Sequence, residues 1–73
     1  MFTPAGVYVI RIEGQLGATA LSAFPSMTHE LKGTETVLTG MLADRSAVFG
    51  VLAEIEALGL ELLELRQVRP DSA

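Results

Sequence analysis

Residues 43–68 read ADRSAVFGVLAEIEALGLELLELRQV, and this stretch decides the fold. Val48, Val51, Leu52, Ile55 and Leu58 recur at the three- and four-residue spacing that lines one face of an α-helix. Asp44 stands where a carboxylate accepts unpaired amides of a first helical turn, and Gly59 stands where a left-handed residue closes the last one. The spacing therefore predicts a helix over Arg45–Leu58. Beyond the glycine, Leu60–Val68 alternates as a strand, with Leu63 and Leu65 on one face and Leu62, Glu64 and Arg66 on the other. Burying such side chains contributes about 1.5–3 kcal/mol each before conformational entropy is subtracted, so the helix depends on a sheet to pack against.

Working outward toward the N-terminus, Val7–Glu13 alternates as a strand, with Tyr8, Ile10 and Ile12 facing the helices and Val7, Val9, Arg11 and Glu13 on the reverse. Leu16, Ala20, Leu21 and Phe24 fit one face of a short helix inside Gln15–Ser26, two or three turns long, bounded by Gly14, Gly17 and Pro25. Met27–Lys32 reads as a strand that turns at Lys32–Gly33 into a partner, Thr34–Leu42. In that partner Thr36, Leu38, Gly40 and Leu42 form one set, and Val37, Thr39 and Met41 the other. A glycine inside a strand, Gly40, marks a bulge or a close approach by another backbone. Residues 1–6 are expected to be a disordered lead-in, 7–69 one domain and 70–73 a tail. The element order predicts an α+β, ferredoxin-like βαββαβ fold, a four-stranded antiparallel sheet with both helices on one face. The other face is left open.

Composition narrows the function classes. A chain of 73 residues has room for one small domain, which buries only about three-fifths of its unfolded surface. Its hydrophobic content of 49% and mean hydropathy of +0.42 are high for that size, which points to self-association, most simply as a homodimer. With no cysteine, disulfides and thiolate metal sites are excluded. A net charge of -4 with scattered Lys and Arg argues against nucleic acid. No basic leader with a cleavage pattern precedes Arg11 and no apolar run reaches membrane-spanning length, so the expectation is a cytoplasmic protein with no membrane contact.

From Tyr8 to Val68, the segments YVIRIEG, THELKGTETVLTG and ADRSAVFGVLAEIEALGLELLEL resemble a group of short, uncharacterised bacterial proteins of ferredoxin-like architecture. Many of that group carry aromatic residues in the first helical segment, where this chain has Leu16, Ala20, Leu21 and Phe24. The last of the three segments also looks like the start of an ACT ligand-sensing domain, a strand ending in Asp-Arg that leads into a helix and a glycine-bounded strand. It occurs here at the second helix, and Ser46-Ala47 stands where a proline-glycine pair is usual. That likeness implies a small-metabolite-binding regulatory domain.

The chemistry-bearing side chains do not assemble a motif. His29 is the only histidine, and Glu30 beside it on a strand points to the opposite face. Glu54 and Glu56 are two apart on the helix and do not face each other, while Glu61 and Glu64 read as solubilising charges. Ser22, Ser26 and Ser46 lack a neighbouring base, and Gly14 and Gly17 form only a fragment of a phosphate loop. No catalytic, cofactor-binding or metal-ligating residue is assigned, and no cofactor is expected. Phe49 falls on the flank of the main helix, where a monomer exposes its ring. The reading is a non-catalytic interaction or structural module acting as a homo-oligomer, with Val7, Val9, Val37, Met41, Phe49 and Leu62 as interface candidates. A protein partner or a small metabolite is the alternative occupant. A third reading, a dimeric α+β barrel enzyme with chemistry between sheet and helices, requires polar groups in a set that is apolar apart from Tyr8, His29 and Thr36.

Overall fold

Strand β1, Gly6–Glu13, sits inside the sheet and shows the alternation most plainly: Tyr8, Ile10 and Ile12 are fully buried, while the residues between them are not. The computed structural model describes residues 5–68. After β1 come α1 (Ala18–Leu21), β2 (Met27–Lys32), β3 (Glu35–Leu42), α2 (Arg45–Ala57) and β4 (Leu62–Val68). The sheet order is β2-β3-β1-β4, and every neighbouring pair is antiparallel. β1 and β2 thus run the same way with β3 between them, and β3 and β4 run the same way with β1 between them. This is the split β-α-β arrangement of a ferredoxin-like α+β fold. Both helical segments meet the same sheet face. Phe24, following α1, packs with Ile10, Ile12, Met27, Leu38 and Ile55, while Val48 of α2 packs with Tyr8 and Leu42.

Local chemistry explains the ends of α2. The Ala47 N–H donates to Asp44 Oδ1 at 2.8 Å, capping the first turn. At the far end Gly59, φ +71°, donates its N–H to Glu56 O, and Leu60 donates to Ile55 O. This pair of bonds turns the chain back so that Leu60 packs on the core beside Ile55. Leu58, expected in the buried stripe, is instead the exposed C-terminal cap residue. Leu60 does its work, and β4 accordingly starts at Leu62 rather than Leu60.

Two further expectations change. α1 is one turn, not two or three: after two α-type bonds, Ala23 and Phe24 donate to carbonyls three residues back, at Ala20 and Leu21. Gly17 offers no capping side chain, and Pro25 cannot donate to carry the helix on. The apolar face survives the shortening, since Phe24 is buried and Leu16 and Leu21 pack on the core. In β4, Arg11 pairs with Glu64 but Ile12 pairs with Leu62, so Leu63 is an extra residue and the simple alternation expected through Leu62 breaks there. Both leucines are left partly in water, 41% and 37% exposed.

Gly40 is a close approach and not a bulge. The ladders on both of its sides are continuous, and a Cβ there would lie 2.8 Å from Ser26 O and 3.0 Å from Met27 Cα. Thr36, the one buried polar residue of the described chain, anchors the β1–α1 loop: its hydroxyl donates to Gly14 O at 2.7 Å and accepts from Leu16 N–H at 3.3 Å. Of the expected lead-in, residues 1–4 lie outside the described residues, and Gly6 already belongs to β1. The expected tail, 70–73, also lies outside them.

Candidate functional site

The side chains that alternate away from the helices form the open face of the sheet. Register places Val7 beside Met41 and Val68, Val9 beside Thr39 and Arg66, and Arg11 beside Val37 and Glu64. On the far side of β3, Thr28, Glu30 and Lys32 of β2 stand opposite Thr39, Val37 and Glu35. The face therefore has two halves. One is apolar, built from Val7, Val9, Met41 and Val68, with Met41 61% exposed. The other is ionic.

Arg11 holds the ionic half together. Its Nε donates to Glu35 Oε1 at 3.0 Å and its Nη1 to Glu64 Oε1 at 2.8 Å, while Glu64 Oε2 lies 3.4 Å from Arg66 Nε. Three strands, β1, β3 and β4, each supply a member, so the network ties the sheet across its width. Hydrogen bonds donated to Glu35 and then to Glu64 raise the Arg11 pKa above its ordinary value. The bond from Arg11 holds the Glu64 carboxyl below the usual carboxylate range. Because these side chains remain 30–40% exposed, water screens them and each pair contributes little stability on its own. The arrangement leaves Arg11 neutralised on the surface, next to the apolar half.

Of the six interface candidates, the structure brings four together: Val7, Val9, Val37 and Met41 share the open face. Phe49 is 57% exposed on the outward side of α2, so the sheet separates it from that face. Leu62 is carried by the bulge to the register position of Ile12, which faces the helices. Val68 joins the patch through its pairing with Val7. The expected alternation of Glu64 and Arg66 already extends to Val68; only Leu62, beyond the bulge, leaves that face.

The candidates for chemistry stand apart. His29 is exposed on β2 opposite Leu38, and Glu54 and Glu56 are exposed on α2. The Ser22 hydroxyl donates to Thr19 O at 2.6 Å, and Ser46 is exposed in the first turn of α2. Tyr8 is fully buried beneath α2 with Leu42 and Val48. Among the described residues no three His, Asp or Glu side chains gather as a metal-holding group. Nor is any helix among them long and apolar enough to cross a membrane.

Residues 7–66 match the family model described as a domain of unknown function, DUF8691. The chain belongs to this family. The match runs from the second residue of β1 to the middle of β4, so the DUF8691 domain takes in the whole core and nearly all of the open face. No curated protein and no solved structure matches the chain.

Proposed function

We propose that this DUF8691 domain is a non-catalytic interaction module that works as a homo-oligomer, with the open sheet face as its contact surface. The observation that supports this is the contiguity of Val7 with Met41 and Val68, its direct neighbours across three strands, and with Val9 next on the same face of β1, with no helix above them. Scattered exposed apolar residues are ordinary on a protein surface, but an adjoining set of this kind marks a contact. A second copy laid face to face, related by a two-fold axis along the strands, sets apolar half on apolar half. A standard interface takes about 800 Å² from each partner, about one-sixth of this chain's 4771 Å². Beside the patch, Arg11 and Arg66 are matched by Glu35 and Glu64, so the rim carries no unopposed charge.

The test is sedimentation of Val9→Asp and Met41→Asp, with circular dichroism to show that each keeps its fold. Both are expected to lower the assembled mass, since a carboxylate facing its own mate is repelled and desolvated. If both variants fold and sediment as the unaltered protein does, the open face is not the contact.

A further inference from the structure

Strand β2 is exposed on both of its faces, and of its six residues only Met27 is buried. It lies at the margin of the sheet, where the single turn of α1 does not reach over it. On the helix-facing side His29 and Leu31, opposite Leu38 and Thr36, are therefore uncovered, with Leu31 52% exposed.

The direction of its free backbone groups follows from the hairpin. Lys32 pairs with Glu35 across the two-residue loop Gly33–Thr34. Gly33 has φ +63° and Thr34 no positive φ, the signature of a type II′ turn. The pair closing such a loop exchanges both backbone bonds, so Lys32, Glu30 and Thr28 turn their N–H groups to β3, while Leu31 and His29 turn theirs outward. The other side of β3 agrees. Glu13 donates to Glu61 O, away from β3, so its ladder partner Glu35 presents its own N–H to β2.

We propose that a second copy of this chain pairs antiparallel along β2, with His29 opposite the partner's His29 on the two-fold axis, forming a continuous eight-stranded sheet. Outward residues must pair with outward residues, which leaves few registers. Sliding one step one way places Glu30 directly opposite the partner's Glu30, and like charges in that position repel. Sliding further runs into the Gly33 turn, and sliding the other way runs into the turn at Pro25–Ser26. The register on His29 pairs residues 27–31 and sets Glu30 against the partner's Thr28. It also lays exposed Leu31 against the partner's Met27, at the rim of the Phe24 cluster. Each copy thus offers an uncovered leucine at one end of β2 and an apolar rim at the other. Antiparallel pairing joins the two, which is why the occupant is a second copy.

This contact is separate from the open face. Its axis is normal to the sheet at the β2 edge, whereas face-to-face stacking has its axis in the plane above β1, so either contact can be broken without the other. Because the chain has no cysteine, single introduced cysteines report the register directly. Directly opposed residues lie within disulfide reach. On oxidation His29→Cys is expected to form covalent dimer well ahead of Thr28→Cys, Glu30→Cys and Leu31→Cys; a maximum at another position, or none, overturns the proposal. His29→Pro removes an outward N–H that an edge strand can spare and is expected to lower the assembled mass. Combined with Val9→Asp it is expected to give monomer. A folded His29→Pro variant of unchanged mass overturns the edge contact and leaves the open face standing, whereas unchanged mass in Val9→Asp and Met41→Asp does the reverse.

Discussion

Replacing Gly40 by alanine tests the packing at its tightest point. In a strand, glycine costs about 0.5–1 kcal/mol relative to alanine through its greater freedom in the unfolded chain, so an unconstrained site gains stability on that change. Gly40 is constrained. It stands opposite Tyr8 on β1 and Met27 on β2, on the helix-facing side, and the added methyl would sit 2.8 Å from Ser26 O and 3.0 Å from Met27 Cα and Cγ. Two of those three atoms are backbone, held by the turn that leads into β2 and by the Met27 N–H bond to Phe24 O. Relief requires moving β2 and with it Met27, which packs with Phe24 and Leu38. Overpacking of this kind costs about 1–3 kcal/mol, set against a total of about 0.05–0.15 kcal/mol per residue for a small domain. Urea unfolding followed by circular dichroism, at one fixed protein concentration, reads the difference as a lower midpoint with an unchanged slope. The control is Gly50→Ala in α2, where nothing lies within 4 Å of the added carbon. It is expected to raise stability by about 0.5–1 kcal/mol. If Gly40→Ala is as stable as the parent or more so, the close passage of the 25–27 turn over β3 is wrong.

Ile55→Ala, beneath α2 in the Ile10–Leu38 cluster, is expected to cost about 2–5 kcal/mol by chemical unfolding, while Glu54→Ala on the exposed side stays within about 0.5 kcal/mol. Asp44→Ala removes the acceptor for Ala47 N–H and is expected to cost about 0.5–2 kcal/mol, with Asp44→Ser recovering most of it in the same assay. Arg11 depresses the Glu64 pKa, so this carboxylate's contribution is complete above the ordinary glutamate range and is lost as pH falls through its lower folded value. The unfolding midpoint is therefore expected to drop on acidification, and the drop is expected to be smaller in Glu64→Gln.

How far the sequence could be read depended on whether each signal was local. Asp44 and Gly59 act within one turn of α2, so both ends of that helix were legible to within a residue. The phase of β1 and β3 was legible for a similar reason: Ile10 and Ile12, or Leu38 and Leu42, declare a buried side by simple alternation. The β4 bulge was not legible, because Leu62 and Leu63 are chemically alike and only pairing with Ile12 reveals which is extra. α1 was misjudged because Leu16 and Phe24 keep helical spacing even though the turns that carry them are not helical. β2 hid its exposure in the same way. Met27, His29 and Leu31 share a side, but whether a helix covers that side depends on the length of α1.

The surplus of apolar residues that marks the composition is distributed unevenly over the structure, and its placement carries more information than its amount. A sheet of four strands with one complete helix above it can bury one set of alternating side chains near its centre and no more. Tyr8, Ile10, Ile12, Leu38 and Leu42 take those places on the two inner strands. The remainder falls on the uncovered sheet face, on the β2 edge, and on the outer side of α2, where Phe49 stands near Gly50 and Ala53. Of the residues three and four away from Phe49 on α2, only Leu52 is large and apolar, and it packs half-buried beside Val48, whereas Met41 has exposed Val7 directly across the ladder and Leu31 has an edge whose backbone groups also seek partners. Adjacency makes desolvation cumulative, since water leaves neighbouring side chains together, and an unpaired backbone row adds direction to it. On that ground the open face and the β2 edge rank ahead of Phe49 as places where a second copy belongs.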